Sequence, residues 1–151
     1  MRLGSSGPLS GRAAARGRVA LGAFARRSDD RRLERTIGGR AGLRIVFGAL
    51  ARRFDPAGAE GFTGALQFEL LGMDGRRRSW MVEVGATAAR SRPGTAPDAA
   101  LVVKLGLADF ARLVAGDLDP GKALLMGRLD VEGDVNVALR LGPMFGLQRA
   151  L

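Results

Sequence analysis

The chain has no cysteine, no histidine and no tyrosine, and each absence removes a class of chemistry. Without cysteine there is no disulfide, no thiolate nucleophile and no thiolate metal ligand. Without histidine, the commonest general base and the commonest transition-metal ligand are both gone. Ser5, Ser6, Ser10 and Ser28 lie in the first 28 residues, and Ser79 and Ser91 have no base of the usual kind to activate them. Lysine is scarce too: Lys104 falls on the outward face of a strand pattern and Lys122 in the first turn of a helix pattern, both solvated positions. No apolar run approaches the roughly 20 residues of a membrane-spanning helix. These gaps argue against an enzyme, and no cofactor or metal is expected.

What the chain has in excess is arginine, unevenly placed. Residues 1–40 hold ten arginines against three acids, while residues 41–151 hold 14 basic against 12 acidic residues. The basic character therefore belongs to one end, and the whole-chain isoelectric point describes the remainder poorly. Residues 1–36 are rich in Gly, Ser, Ala and Arg, and Val19, Leu21 and Phe24 are too few to close a core. The composition predicts a disordered basic tail followed by one domain over 37–151. For this tail the open readings are a floppy N-terminus, an organellar transit peptide over residues 1–28, and a basic arm for nucleic acid or anionic lipid. A secretory signal fits worst. Nucleic acid is not the expected partner, and the working location is cytoplasmic.

From Leu43 onward the pattern is regular. Leu43, Val46, Phe47, Leu50 and Phe54 form one helical stripe, with Arg44, Arg52 and Arg53 off it. Gly38-Gly39 and Gly42 precede this helix but follow no strand, a weak match to a phosphate loop. Asp55-Pro56 ends the helix and residues 58–64 read as a loop. Leu66, Phe68 and Leu70 alternate with Gln67 and Glu69 as a strand. An Asp74-Gly75 turn leads to a second strand with Trp80, Val82 and Val84 on one face. A weaker third strand spans 87–92, and Leu101, Val103 and Leu105 mark a fourth.

The stretch from Leu107 to Phe145 is the most tightly punctuated. Leu107, Phe110, Leu113 and Val114 share a helical face, with Asp109 and Arg112 on the other, and Gly116 stops the helix. Asp119 and Pro120 supply the cap and first position of a second helix, which Gly127 stops. Leu129 and Val131 face inward from a fifth strand. Asp130, Glu132 and Asp134 alternate with apolar residues, unlike a calcium loop. Asp134 caps a last helix bearing Val135, Ala138, Leu139 and Leu141, which Pro143 is expected to end at Gly142. The fold class that follows is α+β: a five-stranded, mostly antiparallel sheet covered on one face by helices.

This run resembles the sterol carrier protein type two family, also called the sterol-binding domain. The residues that carry the likeness are Asp109-Phe110, Leu113 to Gly116, Leu118-Asp119-Pro120, Ala123 to Leu129 and Val131 to Asp134. Similarity runs from about Leu43 to Phe145. The resemblance implies a sterol-carrier-like fold and a non-catalytic carrier for a sterol, fatty acid, acyl-CoA or phospholipid, with transient contact at a membrane surface. A ligand would sit in an apolar gap between sheet and C-terminal helices. The residues expected to face it are Phe110, Val114, Met126, Leu129, Val131, Leu141, Met144 and Phe145. Residues 141–147 read as an apolar rim or lid beyond the last helix. The competing expectation is a structural or interaction module with a filled core, whose basic tail docks an anionic partner.

Overall fold

A computed structural model describes residues 29–147. Helices α1 (Asp29–Ile37), α2 (Arg40–Arg52) and the short α3 (Pro56–Ala59) lead into strands β1 (Gly64–Leu71), β2 (Arg77–Val84), β3 (Ala89–Pro93) and β4 (Leu101–Gly106). Helices α4 (Leu107–Ala115) and α5 (Pro120–Leu125), strand β5 (Leu129–Gly133) and helix α6 (Val135–Phe145) complete the chain. The sheet order is β3-β2-β1-β4-β5.

β1, β2 and β3 form an antiparallel meander, but β4 then returns beside β1 in parallel, with Leu66 opposite Leu101 and Leu70 opposite Leu105. The parallel pair arises because the chain leaves the β3 edge and crosses the outer face of the sheet to reach β1. Gln67 anchors that crossing. Its buried amide donates to the Gly94 carbonyl at 3.0 Å and accepts from the Ala96 N–H at 2.6 Å. A buried amide needs both partners, so Gln67 occupies a position that an apolar residue would leave without a tether.

The other face carries the core. Leu66, Phe68, Trp80, Val82, Leu101, Val103 and Leu129 are all buried there beneath the helices. Phe47 reaches down from α2 into the middle of this face. Its ring stacks on Trp80 (centroids 5.2 Å) and Phe110 (4.6 Å) and meets Phe68 edge-on (5.4 Å), geometries that add to simple burial. Asp119 and Asp134 cap α5 and α6, accepting from the Lys122 and Asn136 N–H groups. Gly116 and Gly127 both adopt positive φ just beyond α4 and α5, the conformation that ends a helix most readily when there is no Cβ.

The structure corrects several expectations. Residues 29–36, placed in the disordered tail by composition, form most of α1. Leu33 packs on Ala108 and Ala111 of α4, and the Glu34 carboxylate accepts from the Met73 N–H. The rest of the expected tail, residues 1–28, lies outside the described residues. Arg112, on the face of α4 opposite the apolar stripe, is buried under α1, where it pairs with Asp30 and Asp109. Part of the expected 58–64 loop belongs to α3, started by the Asp55 cap and Pro56. Helix α6 does not stop at Gly142: it continues through Pro143 to Phe145 and ends at Gly146 in the left-handed conformation. Pro143 forgoes the bond its N–H would have made to the Leu139 carbonyl and its ring crowds that carbonyl, and burial of Met144 and Phe145 offsets that loss.

Candidate functional site

At the β5 edge the covering layer changes from the 13-residue α2 to the six-residue α5 and to α6. A helix of six residues cannot span a sheet face, and an apolar recess of about 220 Å³ remains between α5, β5 and α6. Leu129 and Val131 of β5 form its floor; Pro120 and Leu124 of α5 line one wall, and Ala138, Leu139, Leu141 and Gly142 of α6 the other. Among the described residues that line this recess Asp119 is the only ionisable one, and its carboxylate is already engaged as the α5 cap.

Of the eight residues expected to face a gap, three meet here: Leu129, Val131 and Leu141. Phe110 is instead fully buried in the aromatic cluster. Val114 is half-buried against the core, and its carbonyl accepts from Arg53. Met144 and Phe145 are 0 % exposed. Phe145 packs on Phe54, and the Met144 carbonyl accepts from the Asp55 N–H at 2.8 Å. Residues 141–147 are thus not a rim beyond the helix: Leu141 to Phe145 are helical, and Leu147 is buried with its N–H on the Gly142 carbonyl. Met126 caps the C-terminus of α5 and is 62 % exposed, away from the recess. The recess gains Pro120, Leu124, Ala138 and Leu139; the helical pattern named Ala138 and Leu139 as apolar but could not place them on a particular neighbour.

Two features hold the frame. Arg53, at the C-cap of α2, donates to the Val114 carbonyl at 2.9 Å and to the Gly146 carbonyl at 2.8 Å, tying together the ends of α4 and α6. Gly58 of α3 lies so close to α6 that an added Cβ would fall 2.3 Å from the Pro143 oxygen. The outer surface of α5 and α6 is apolar: Leu125, Val135 and Leu139, with Met126, are large exposed hydrophobic residues, all on or capping these two helices. Among the described residues no group of three or more acidic side chains is placed to hold a metal ion, and no helix is long and apolar enough to cross a membrane.

This geometry has counterparts in known proteins. The palmitated SCP2L2 of Aedes aegypti superimposes with a TM-score of 0.58 at 20% identity, covering 72% of this chain and 98% of that one. The apo sterol carrier protein 2 of Yarrowia lipolytica gives 0.54 at 20% identity, covering 69% and 90%. At such identities they establish a shared fold. Among curated sequences, the hydroxysteroid dehydrogenase-like protein 2 of Xenopus laevis is 26% identical over 111 residues, 72% of this chain. The chain spans only 26% of that protein's length. The family model described as the SCP-2 sterol transfer family matches residues 48–146. With that match over well more than half of its length, the chain belongs to the SCP-2 sterol transfer family.

Proposed function

We propose that the domain is a non-catalytic carrier that holds one hydrophobic chain in the recess between α5, β5 and α6. The observation that carries this reading is the apolar lining by Leu124, Leu129, Val131, Ala138 and Leu141. Family membership supports lipid as the ligand class, and the Aedes relative, solved in a palmitated state, makes a fatty acid the first ligand to try. Size sets a condition. At about 220 Å³ the recess falls below the roughly 300–1,000 Å³ of small-molecule pockets. An inserted segment of about six methylenes gains about 5 kcal/mol gross, and association takes back several of those. Useful affinity therefore needs α6 to move outward. Pro143 helps here, because the Leu139 carbonyl has no intrahelical i+4 donor to lose. Leu125, Met126, Val135 and Leu139 would meet the membrane surface during loading, with the protein otherwise in the cytoplasm.

Native mass spectrometry of delipidated protein titrated with palmitate, cholesterol, acyl-CoA and phospholipid tests the reading. One-to-one adducts are expected with the wild-type chain, reduced at least tenfold by Ala138→Phe, which fills the recess. Absence of adducts with every class would overturn it.

One observation favours a second reading. Phe47, Phe68, Trp80 and Phe110 fill the middle of the sheet–helix interface, as a filled-core interaction module would require. That module predicts salt-sensitive binding to an anionic partner which disappears when residues 1–28 are removed.

A further inference from the structure

A second cleft, at the opposite edge of the sheet, shares no lining residue with the recess. It has a volume of about 980 Å³ and lies between α1, the N-terminus of α2, the β1–β2 turn and the end of β3. Its wall is cationic: Arg31 and Arg35 come from α1, Arg40 from α2, and Arg76 and Arg78 from the β1–β2 hairpin. The two carboxylates in the same lining are already engaged. Glu34 accepts from the Met73 N–H, and Asp74 pairs with Arg78. That pairing, with a backbone hydrogen bond from Arg76, holds the Asp74 carboxyl below its ordinary value. Arg31, Arg35, Arg40 and Arg76 face no carboxylate within ion-pairing distance among the described residues.

Two further observations point to an anion as the ligand. Helix α2 is 13 residues long, yet its N-cap is Gly39, which makes no side-chain hydrogen bond, and its first turn carries no acid. Its free N–H groups and positive dipole end therefore open into an arginine-lined space. Trp80 also lines the cleft; it is 3 % exposed, and its indole N–H has no acceptor. Buried donors are nearly always paired. Gly38-Gly39 and Gly42 have the composition of a phosphate loop but follow helix α1 where a P-loop would follow a strand.

We infer that this cleft binds a multiply charged phosphate group, through the N-terminus of α2 and the Arg31, Arg35, Arg40 and Arg76 guanidiniums. Phosphate fits better than a single carboxylate because four unpaired guanidiniums call for more than one negative charge. Residues 1–28 cannot neutralise it, since they hold six arginines and no acid. The site is also not the head end of a chain held in the recess. β2 and β5 are three strand positions apart, about 14 Å, and the aromatic cluster packs the space between.

Trp80 is the single tryptophan of a chain without tyrosine, so the fluorescence comes from one residue that lines the cleft and stacks on Phe47. The full chain is titrated with inorganic pyrophosphate at constant ionic strength, in parallel with calorimetry. Saturable binding is expected, weakened at least tenfold in an Arg35→Ala/Arg40→Ala double variant. Gly39→Asp is the sharper control. An added Cβ at Gly39 meets nothing within 4 Å, and aspartate there caps α2. This variant should be at least as stable as the wild type yet lose pyrophosphate. Vesicles of phosphatidylcholine with and without phosphatidic acid form the other arm. A response to the phosphatidic acid vesicles alone, lost in the same variants, would assign the phosphate to a lipid headgroup. A response that sodium chloride reproduces, that both variants retain, or that never appears overturns the site. Palmitate binding does not enter any of these readouts, so failure here leaves the recess reading standing, and the reverse.

Discussion

The two edges of the sheet are finished by different means. At the β2–β3 edge, α2 lays 13 residues across the strands and drives Phe47 between Trp80 and Phe110. At the β5 edge, the six residues of α5 and the proline-containing α6 leave a recess floored by Leu129 and Val131. Both edges start from the same apolar strand alternation. What differs is the length of the covering helix and whether an aromatic ring reaches the sheet. The tightly packed edge is the one beside the arginine-lined cleft, and the loosely packed edge is the one with exposed Leu125, Met126, Val135 and Leu139. One small fold thereby divides into a structural half and an adaptable half.

The largest effect that tests this division is a pair of truncations. Phe47→Ala removes the ring that touches Phe68, Trp80 and Phe110 and should cost about 3–5 kcal/mol in urea unfolding. Leu141→Ala borders space that is already empty, so its neighbours lose fewer contacts, and the cost should fall near the lower end for Leu→Ala, about 2 kcal/mol. Equal costs would mean that the β5 edge is packed as tightly as the other.

That contrast was only partly legible in the sequence. The stripe Leu43, Phe47 and Leu50, the strand alternation, and the Asp119 and Asp134 caps are local patterns, and local physics is enough to realise them. The parallel β1–β4 pair is different, because it depends on where the 94–100 crossover is pinned, and Gln67 does that with an ordinary-looking polar side chain. Arg112 reads as a surface residue until α1, outside the family match, is laid over it. Met126 looked like a cavity residue by its chemistry, but the turn that ends α5 points it outward. Met144 and Phe145 looked free because a proline precedes them, yet Asp55 and Phe54 fasten that end of α6 to the core.

Gly58→Ala comes next in size and sharpens the comparison. The new methyl would press on the Pro143 backbone, which cannot rotate aside as a side chain could, so a loss of about 1–3 kcal/mol is expected. The effect should be regional. Amide exchange in α6 should quicken, while the α2 amides over Phe47 keep their protection. Equal acceleration in α2 and α6 would show that the two edges open as one unit, and the division into halves would fail.

Asp74 gives the smallest effect and probes the other edge. Its carboxyl is held low by the hydrogen bond from the Arg78 side chain, then by the one from the Arg76 backbone. A carboxyl whose pKa is lower folded than unfolded stabilises the fold above its unfolded value, and the gain disappears as pH falls through the folded value. Asparagine at this position can still accept from the Arg76 N–H but cannot pair with Arg78. Urea midpoints of wild type and Asp74→Asn should therefore differ slightly at pH 7, begin to converge below about pH 4, and meet only once pH has fallen through the lower, folded value. The group is exposed, so the difference should be smaller than either substitution above and should shrink in high salt. A difference that persisted after pH had fallen below the folded value would have to come from the shape of the β1–β2 turn, because neutralising the carboxylate removes the charge from both sides of the comparison.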